Sequence, residues 1–292
     1  MLNRLIEQRF GISIQQGQRL AHLLFLAVSI MTFSVMALIL GSSIFLTHAG
    51  AEYLPLSYLL MGLLSIPVYT WLSQVVDRTS RPKLFRYLLL VAMVVALILR
   101  GLIPLDTLPV YYVIHISFYF QWILVTEVLF PSLVADYFTS LDWKRYTPFL
   151  RMAIAVGGLL GGGLTSLLAT QISTENMLLA LPGLYAVVFA QLLYLEYTQT
   201  PIEGSSTEEE EGLVDNLKTL PLLLKNYPII SFLATSTFLF IVLYTVAEFQ
   251  YFSIYSQTFN DQDLTTFLGI MRIVNNLIPF IILYFVTRPL IG

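Results

Sequence analysis

Eight stretches of this chain stay apolar for about twenty residues or longer, which is the length a helix needs to cross a bilayer. They fall at approximately 20–46, 54–76, 84–105, 109–134, 148–171, 176–197, 229–257 and 264–288. In lipid no water reaches the backbone N–H and C=O groups, so a spanning segment must pair them internally as a helix or close into a barrel. A transmembrane barrel shows alternating segments of about ten residues, whereas these runs are continuous. The predicted fold is all-α and polytopic, with eight transmembrane helices. Composition agrees, with 57% of residues hydrophobic, 11% charged and a mean hydropathy of +0.77. An average soluble domain carries roughly 25% charged residues, so a soluble enzyme and a disordered chain are excluded. A formal charge of −3 offers no basic field to a nucleic acid. The absence of cysteine removes disulfides, thiolate nucleophiles and Cys-based metal or iron–sulfur sites.

The few charges are arranged by side. Arg4, Arg9, Arg19, Arg78, Arg81, Lys83, Arg86, Lys144, Arg145, Arg151, Lys218, Lys225 and Arg288 gather at one face. The opposite loops, around His48–Glu52, Asp106, Glu175 and Asp261–Asp263, hold no Lys or Arg. The positive-inside rule then predicts both termini in the cytoplasm, with the chain integral to a bacterial-type inner membrane. The N-terminus reads as a short amphipathic lead-in and not a cleaved signal, because the first apolar run is too long for one. Residues 198–227 contain Glu203 and the run Glu208–Glu211 among Gly and Ser, which reads as a solvated cytoplasmic linker. It divides a six-helix bundle (1–197) from a two-helix segment (228–292).

Two cytoplasmic loops carry a resemblance. Ser73-Gln-Val-Val-Asp77-Arg78-Thr-Ser80-Arg81-Pro-Lys83 is similar to the signature between helices 2 and 3 of the major facilitator superfamily, with serine where that family has glycine at 73 and 80. Phe45-Leu-Thr-His-Ala-Gly-Ala-Glu-Tyr-Leu-Pro55, Asp142-Trp-Lys144-Arg145-Tyr-Thr-Pro148-Phe and the Gly157–Gly163 run resemble its ATP/ADP translocase-like branch, over roughly residues 15–200. The resemblance implies a twelve-helix carrier of two six-helix halves, with helices 1, 4, 7 and 10 around a central cavity. With eight runs, the chain reads as a complete major-facilitator-type half plus two helices of a second, C-terminally truncated. A reduced carrier that completes itself by oligomerising is the alternative.

The candidate substrate or ion site is built from helical faces. In the seventh run Thr237, Tyr244, Glu248, Tyr251 and Tyr255 fall within an arc of about 60°. An acid among tyrosines on one face suits a cavity wall, since a charge exposed to lipid is costly; an interfacial aromatic belt accounts for the tyrosines equally well. In the eighth run Arg272 and Asn276 share a face with Asn275 at its edge, and Arg272 is expected at the depth of Glu248, where an ion pair would offset two buried charges. A substrate anion competing for Arg272 is the functional variant of that pair. In the fourth run Tyr119, Trp122 and Thr126 form a polar and aromatic stripe with Tyr111 and His115. Glu127 lies off that stripe and remains an intramembrane acid.

The glycines Gly157, Gly158, Gly161, Gly162 and Gly163 form two interleaved small-xxx-small patterns, which read as a packing device. The resemblance makes Asp77, Arg78 and Arg81 cytoplasmic gate candidates; ordinary positive-inside charge explains the same residues. Lys144 and Arg145 match the narrower pattern and suit anion attraction at the cytoplasmic mouth. The expected function is secondary transport of an organic anion by alternating access, with a nucleotide suggested by the resemblance alone. The alternatives are a non-transporting membrane anchor or scaffold and a lipid-moving facilitator. No cofactor, metal or catalytic residue is read from the sequence, and no enzymatic activity is expected. The expected partners are membrane lipid, a small-molecule solute, and a second copy or further chain supplying the remaining helices.

Overall fold

A computed structural model describes residues 14–76, 79–201 and 226–287. The described elements are helical, in the order α1 (Ile14–His48), α2 (Leu54–Val76), α3 (Arg81–Leu102), α4 (the span Leu108–Ala135), α5 (Ser140–Ala169), α6 (Leu181–Thr198), α7 (Pro228–Thr258) and α8 (Asp261–Ile282). Eight helices among the described residues are long and apolar enough to cross a membrane. The protein is therefore an integral, multi-pass, all-α membrane protein.

The apolar runs and the helices coincide within a few residues except where local chemistry extends a helix past its apolar part. The fifth run starts earlier than its hydropathy suggests, because Thr139 caps α5. Its side chain accepts from the Asp142 amide, and the Asp142 carboxylate accepts from the Thr139 backbone in return. This reciprocal arrangement carries Trp143 and Thr147 onto the helix.

Helix α1 is the central post. Leu23, Ile30, Phe33, Met36, Leu40 and Phe45 on it are all buried. It packs against α5, α4, α6 and α8. The glycines of α5 make the closest of these contacts. Gly157 and Gly161 meet the α1 backbone at Val28 and Thr32, while Gly158 and Gly162 meet α8 at Asn276 and Gly269. Gly163 touches nothing in this way. The two interleaved patterns thus serve two different partners, one glycine pair each.

Helix α4 is not a regular α-helix. Leu124–Leu129 forms a π turn, in which the Phe130 amide donates to the Val125 carbonyl, and α-geometry resumes at Phe130–Ala135. Pro131 follows at once and has no N–H to give to the preceding turn. Helix α7 is the most exposed: Phe252 is its one fully buried residue among those described, and Phe232, Phe238 and Phe240 face outward.

Candidate substrate cavity

A cavity of about 430 Å³ lies between α1, α4, α5 and α8. Helix α1 supplies an apolar floor of Ala27, Ile30, Met31 and Val35. Trp122, Thr126, Glu127, Phe130 and Pro131 come from α4, before, within and after the π turn. Trp143, Thr147, Leu150, Arg151 and Ile154 come from α5, and Arg272, Asn275 and Asn276 from α8. Of the residues singled out in the sequence, Trp122, Glu127, Arg272, Asn275 and Asn276 meet here.

Local hydrogen bonds orient this lining. Thr126 Oγ1 donates to the Trp122 carbonyl at 2.8 Å and lies 3.4 Å from Glu127 Oε1. The Asn276 amide donates to the Arg272 carbonyl at 2.7 Å, and both residues line the cavity. With Arg151 and Arg272 against Glu127, the cavity presents two cations to one carboxylate. Two tryptophans, Trp122 and Trp143, add flat apolar area with an N–H donor each.

Arg151 and Trp143 were not legible as site residues, because Arg151 belongs by count to the positive face and Trp143 to a motif. Their signal was helical spacing: positions 143, 147, 150, 151 and 154 share one face of α5, within about 100°.

Glu248 stands beside the cavity and not in its lining. The Tyr251 hydroxyl donates to Glu248 Oε1 at 3.2 Å. Tyr58 of α2, which sequence reasoning missed, and Tyr119 of α4 lie within electrostatic reach of the same carboxylate, together with Tyr244 nearby. Arg272 is also close enough to act on Glu248 by charge. The expected Glu248–Arg272 ion pair is nevertheless absent from the three ion pairs found among the described residues. Tyr251, one turn away on the same helix, supplies the hydrogen bond locally, and Arg272 turns to the cavity. Tyr255 packs on Phe267 at 4.7 Å and on Tyr251 at 5.5 Å, in an aromatic cluster with Phe259.

The α4 stripe divides by depth. Tyr111 donates to Asp106 at 2.5 Å, and the buried His115 bonds Ser57 at 2.9 Å and stacks on Phe45. Both belong to packing, away from the cavity.

At the face rich in Lys and Arg, Arg81 pairs with Asp136 at the end of α4 and donates to the Ser132 carbonyl at 3.1 Å. Asp77 and Arg78 lie outside the described residues, as does the Lys144 side chain, while Arg145 extends over the Tyr146 ring at 6.0 Å. Arg19 ties α1 to the Tyr137 carbonyl at 3.0 Å and the Thr200 carbonyl at 3.2 Å, and Arg86 pairs with Glu196 at 2.9 Å. The Tyr137 hydroxyl is pushed up to about 12 by burial and by the nearby Asp136 and Glu196.

The opposite end is joined by small polar contacts. Thr265 of α8 shares hydrogen bonds with Ser43 at 2.5 Å and Thr174 at 2.9 Å, and Ser166 donates to the Thr266 carbonyl at 3.1 Å. Arg100 is held by Asn176, at 2.6 Å.

Fold and cavity together define a multi-pass helical membrane protein with an arginine-bearing cavity off its central helix. No family model, curated protein or solved structure matches the chain.

Proposed function

We propose that the chain belongs to a secondary transporter of the major facilitator type that moves an organic anion by alternating access. The observation that carries this reading is the convergence of Arg151 and Arg272, from two helices, on one cavity of about 430 Å³ with Trp122 and Trp143 in its wall. That volume falls in the range of small-molecule sites, about 300–1,000 Å³. Two guanidinium groups suit a carboxylate or phosphate, which they bind bidentately, and the indoles suit a ring. A nucleotide combines both features and is the substrate we favour.

The state of the two ends supports alternating access. The lining residues sit in the half of the bundle toward the Lys- and Arg-rich face, which we take as cytoplasmic. The hydroxyl contacts of Ser43, Thr174 and Thr265 close the other half. An anion held between Arg151 of α5 and Arg272 of α8 would change the charge felt by Glu248 on α7, so occupancy and helix position are linked through differential binding.

The test is exchange in liposomes containing the purified protein and loaded with nucleotide. Uptake of external nucleotide that needs internal nucleotide, and that falls at least tenfold in Arg272→Gln, is the expected result. No uptake of nucleotide or any other organic anion would overturn the reading and leave a membrane scaffold.

A further inference from the structure

We propose that His48, Glu175 and Asp261 form a binding site for a divalent transition-metal ion on the Lys- and Arg-poor face, clasping α8 to the six-helix half. The three residues lie far apart in sequence, at the end of α1, before α6 and at the start of α8, so no ligand spacing announces them. In the fold one donor atom from each lies within 4.8 Å of the other two. His48 Nε2 and Glu175 Oε1 are 3.5 Å apart. Bonds near 2.0–2.2 Å from one ion put neighbouring ligand atoms about 3.0–3.5 Å apart, so this pair already has the required separation. Asp261 is exposed, and a rotation of its side chain would close the remaining distance.

A second observation is that the segments carrying these residues are joined below the surface. The hydroxyl of Thr265, fully buried, joins all three ligand-bearing segments. It shares hydrogen bonds with Ser43 on the last turns of α1 and with Thr174 beside Glu175, and it donates to the backbone carbonyl of Asp261 itself at 3.0 Å. The His48 ring is fixed independently, stacked at 4.8 Å on Tyr111. The three segments that carry the ligands are thus tied to one another by buried contacts, the rigid support that a metal site requires. The cleft beside Glu175 and Asp261 also exposes Asn260 and Asp263, leaving room for water or another oxygen to complete the coordination.

The donor set selects the ion. One imidazole nitrogen with two carboxylates suits Zn²⁺ or Mn²⁺ over Ca²⁺ and Mg²⁺, which take oxygen ligands. Arg100, near the same face, is engaged with Asn176 at 2.6 Å. An ion here ties the α7–α8 loop to α1 and α6 and holds this face shut. That consequence rests on the transport reading, whereas binding itself does not.

The test is Zn²⁺ titration of the tag-free full chain in detergent, followed by calorimetry and by thermal unfolding. Wild type is expected to bind one ion and to unfold at higher temperature with Zn²⁺ but not with Ca²⁺. Affinity is expected to fall at least tenfold in His48→Gln, Glu175→Gln and Asp261→Asn, and to be retained in His22→Gln. Equal affinity in the triple variant, an equal response to Ca²⁺, or no binding to wild type would overturn the site. Visible Co²⁺ absorption of the unsubstituted protein, displaced by Zn²⁺, is a readout that needs no variant to fold, and its absence overturns the site too. None of these measures transport, so a failure here and a failure of the exchange assay are distinguishable.

Discussion

Gly162 of α5 and Gly269 of α8 meet backbone to backbone: a Cβ on Gly162 would stand 2.6 Å from the Gly269 carbonyl oxygen. Backbone cannot swing aside as a long side chain can, so Gly162→Ala forces the two helices apart. Overpacking of this kind costs about 1–3 kcal/mol. Gly163→Ala, one residue on and with open space around it, is expected to change stability by less than about 0.5 kcal/mol. Thermal unfolding of the two variants in the same detergent checks the contrast, and equal midpoints would contradict the packing.

Trp143 and Arg151 make separable contributions to an anion in the cavity. Trp143→Leu is expected to weaken a ring-bearing anion by about 1 kcal/mol, roughly fivefold, while leaving a ringless anion such as phosphate unaffected. Arg151→Gln is expected to weaken both, and to flatten the salt dependence of binding. Equilibrium binding of a nucleotide and of phosphate to the two variants distinguishes these effects.

The Arg81–Asp136 pair joins the start of α3 to the end of α4 and is partly shielded from solvent. Asp136→Asn leaves Arg81 facing a weaker acceptor. The expected loss is about 1–2 kcal/mol, below the cost of breaking a fully buried pair because both groups retain some solvent. A double-mutant cycle with Arg81→Gln, read by thermal unfolding, is expected to show coupling of the same sign.

Glu175 gives a pH signature. Burial pushes its carboxyl up, but hydrogen bonds from Ser173, from its own backbone N–H and from His48, with the charge interaction of His48, hold it below the ordinary range. A carboxyl lowered in the folded state contributes stability that is present above its unfolded value and lost as pH falls through the folded one. The metal-free protein is therefore expected to lose thermal stability on acidification below about pH 4.5 more steeply than Glu175→Gln does. Parallel unfolding curves for the two proteins would exclude this contribution.

What could be read from the sequence follows from the length scale of each signal. The spans are written in twenty consecutive apolar residues, and lipid leaves them one regular way to fold. The α5 glycines announce close packing equally plainly. Their partners stay hidden, because neither Val28 nor Gly269 carries a mark that pairs it with Gly157 or Gly162. Arg151 illustrates the limit for the cavity: by side it is a loop cation, and only the neighbouring helices show that its face, shared with Trp143, lines a cavity. Glu248 was found as an intramembrane acid, but Tyr58, supplied by another helix, has no sequence relation to it. His48, Glu175 and Asp261 are the extreme case, three ordinary loop residues brought together by tertiary structure alone.

The π turn at Leu124–Leu129 means that α4 holds one residue more than an α-helix of the same rise would accommodate. Moving that surplus along the helix turns the residues it passes by about 100° against the rest. Trp122, before the turn, and Glu127, within it, can therefore be re-aimed relative to Phe130 at the expense of a few backbone hydrogen bonds, with the ends of the helix left in place. Helix α4 carries a built-in slack, a spare residue stored in the wall of the cavity, and a one-residue deletion there would freeze the wall in a single setting.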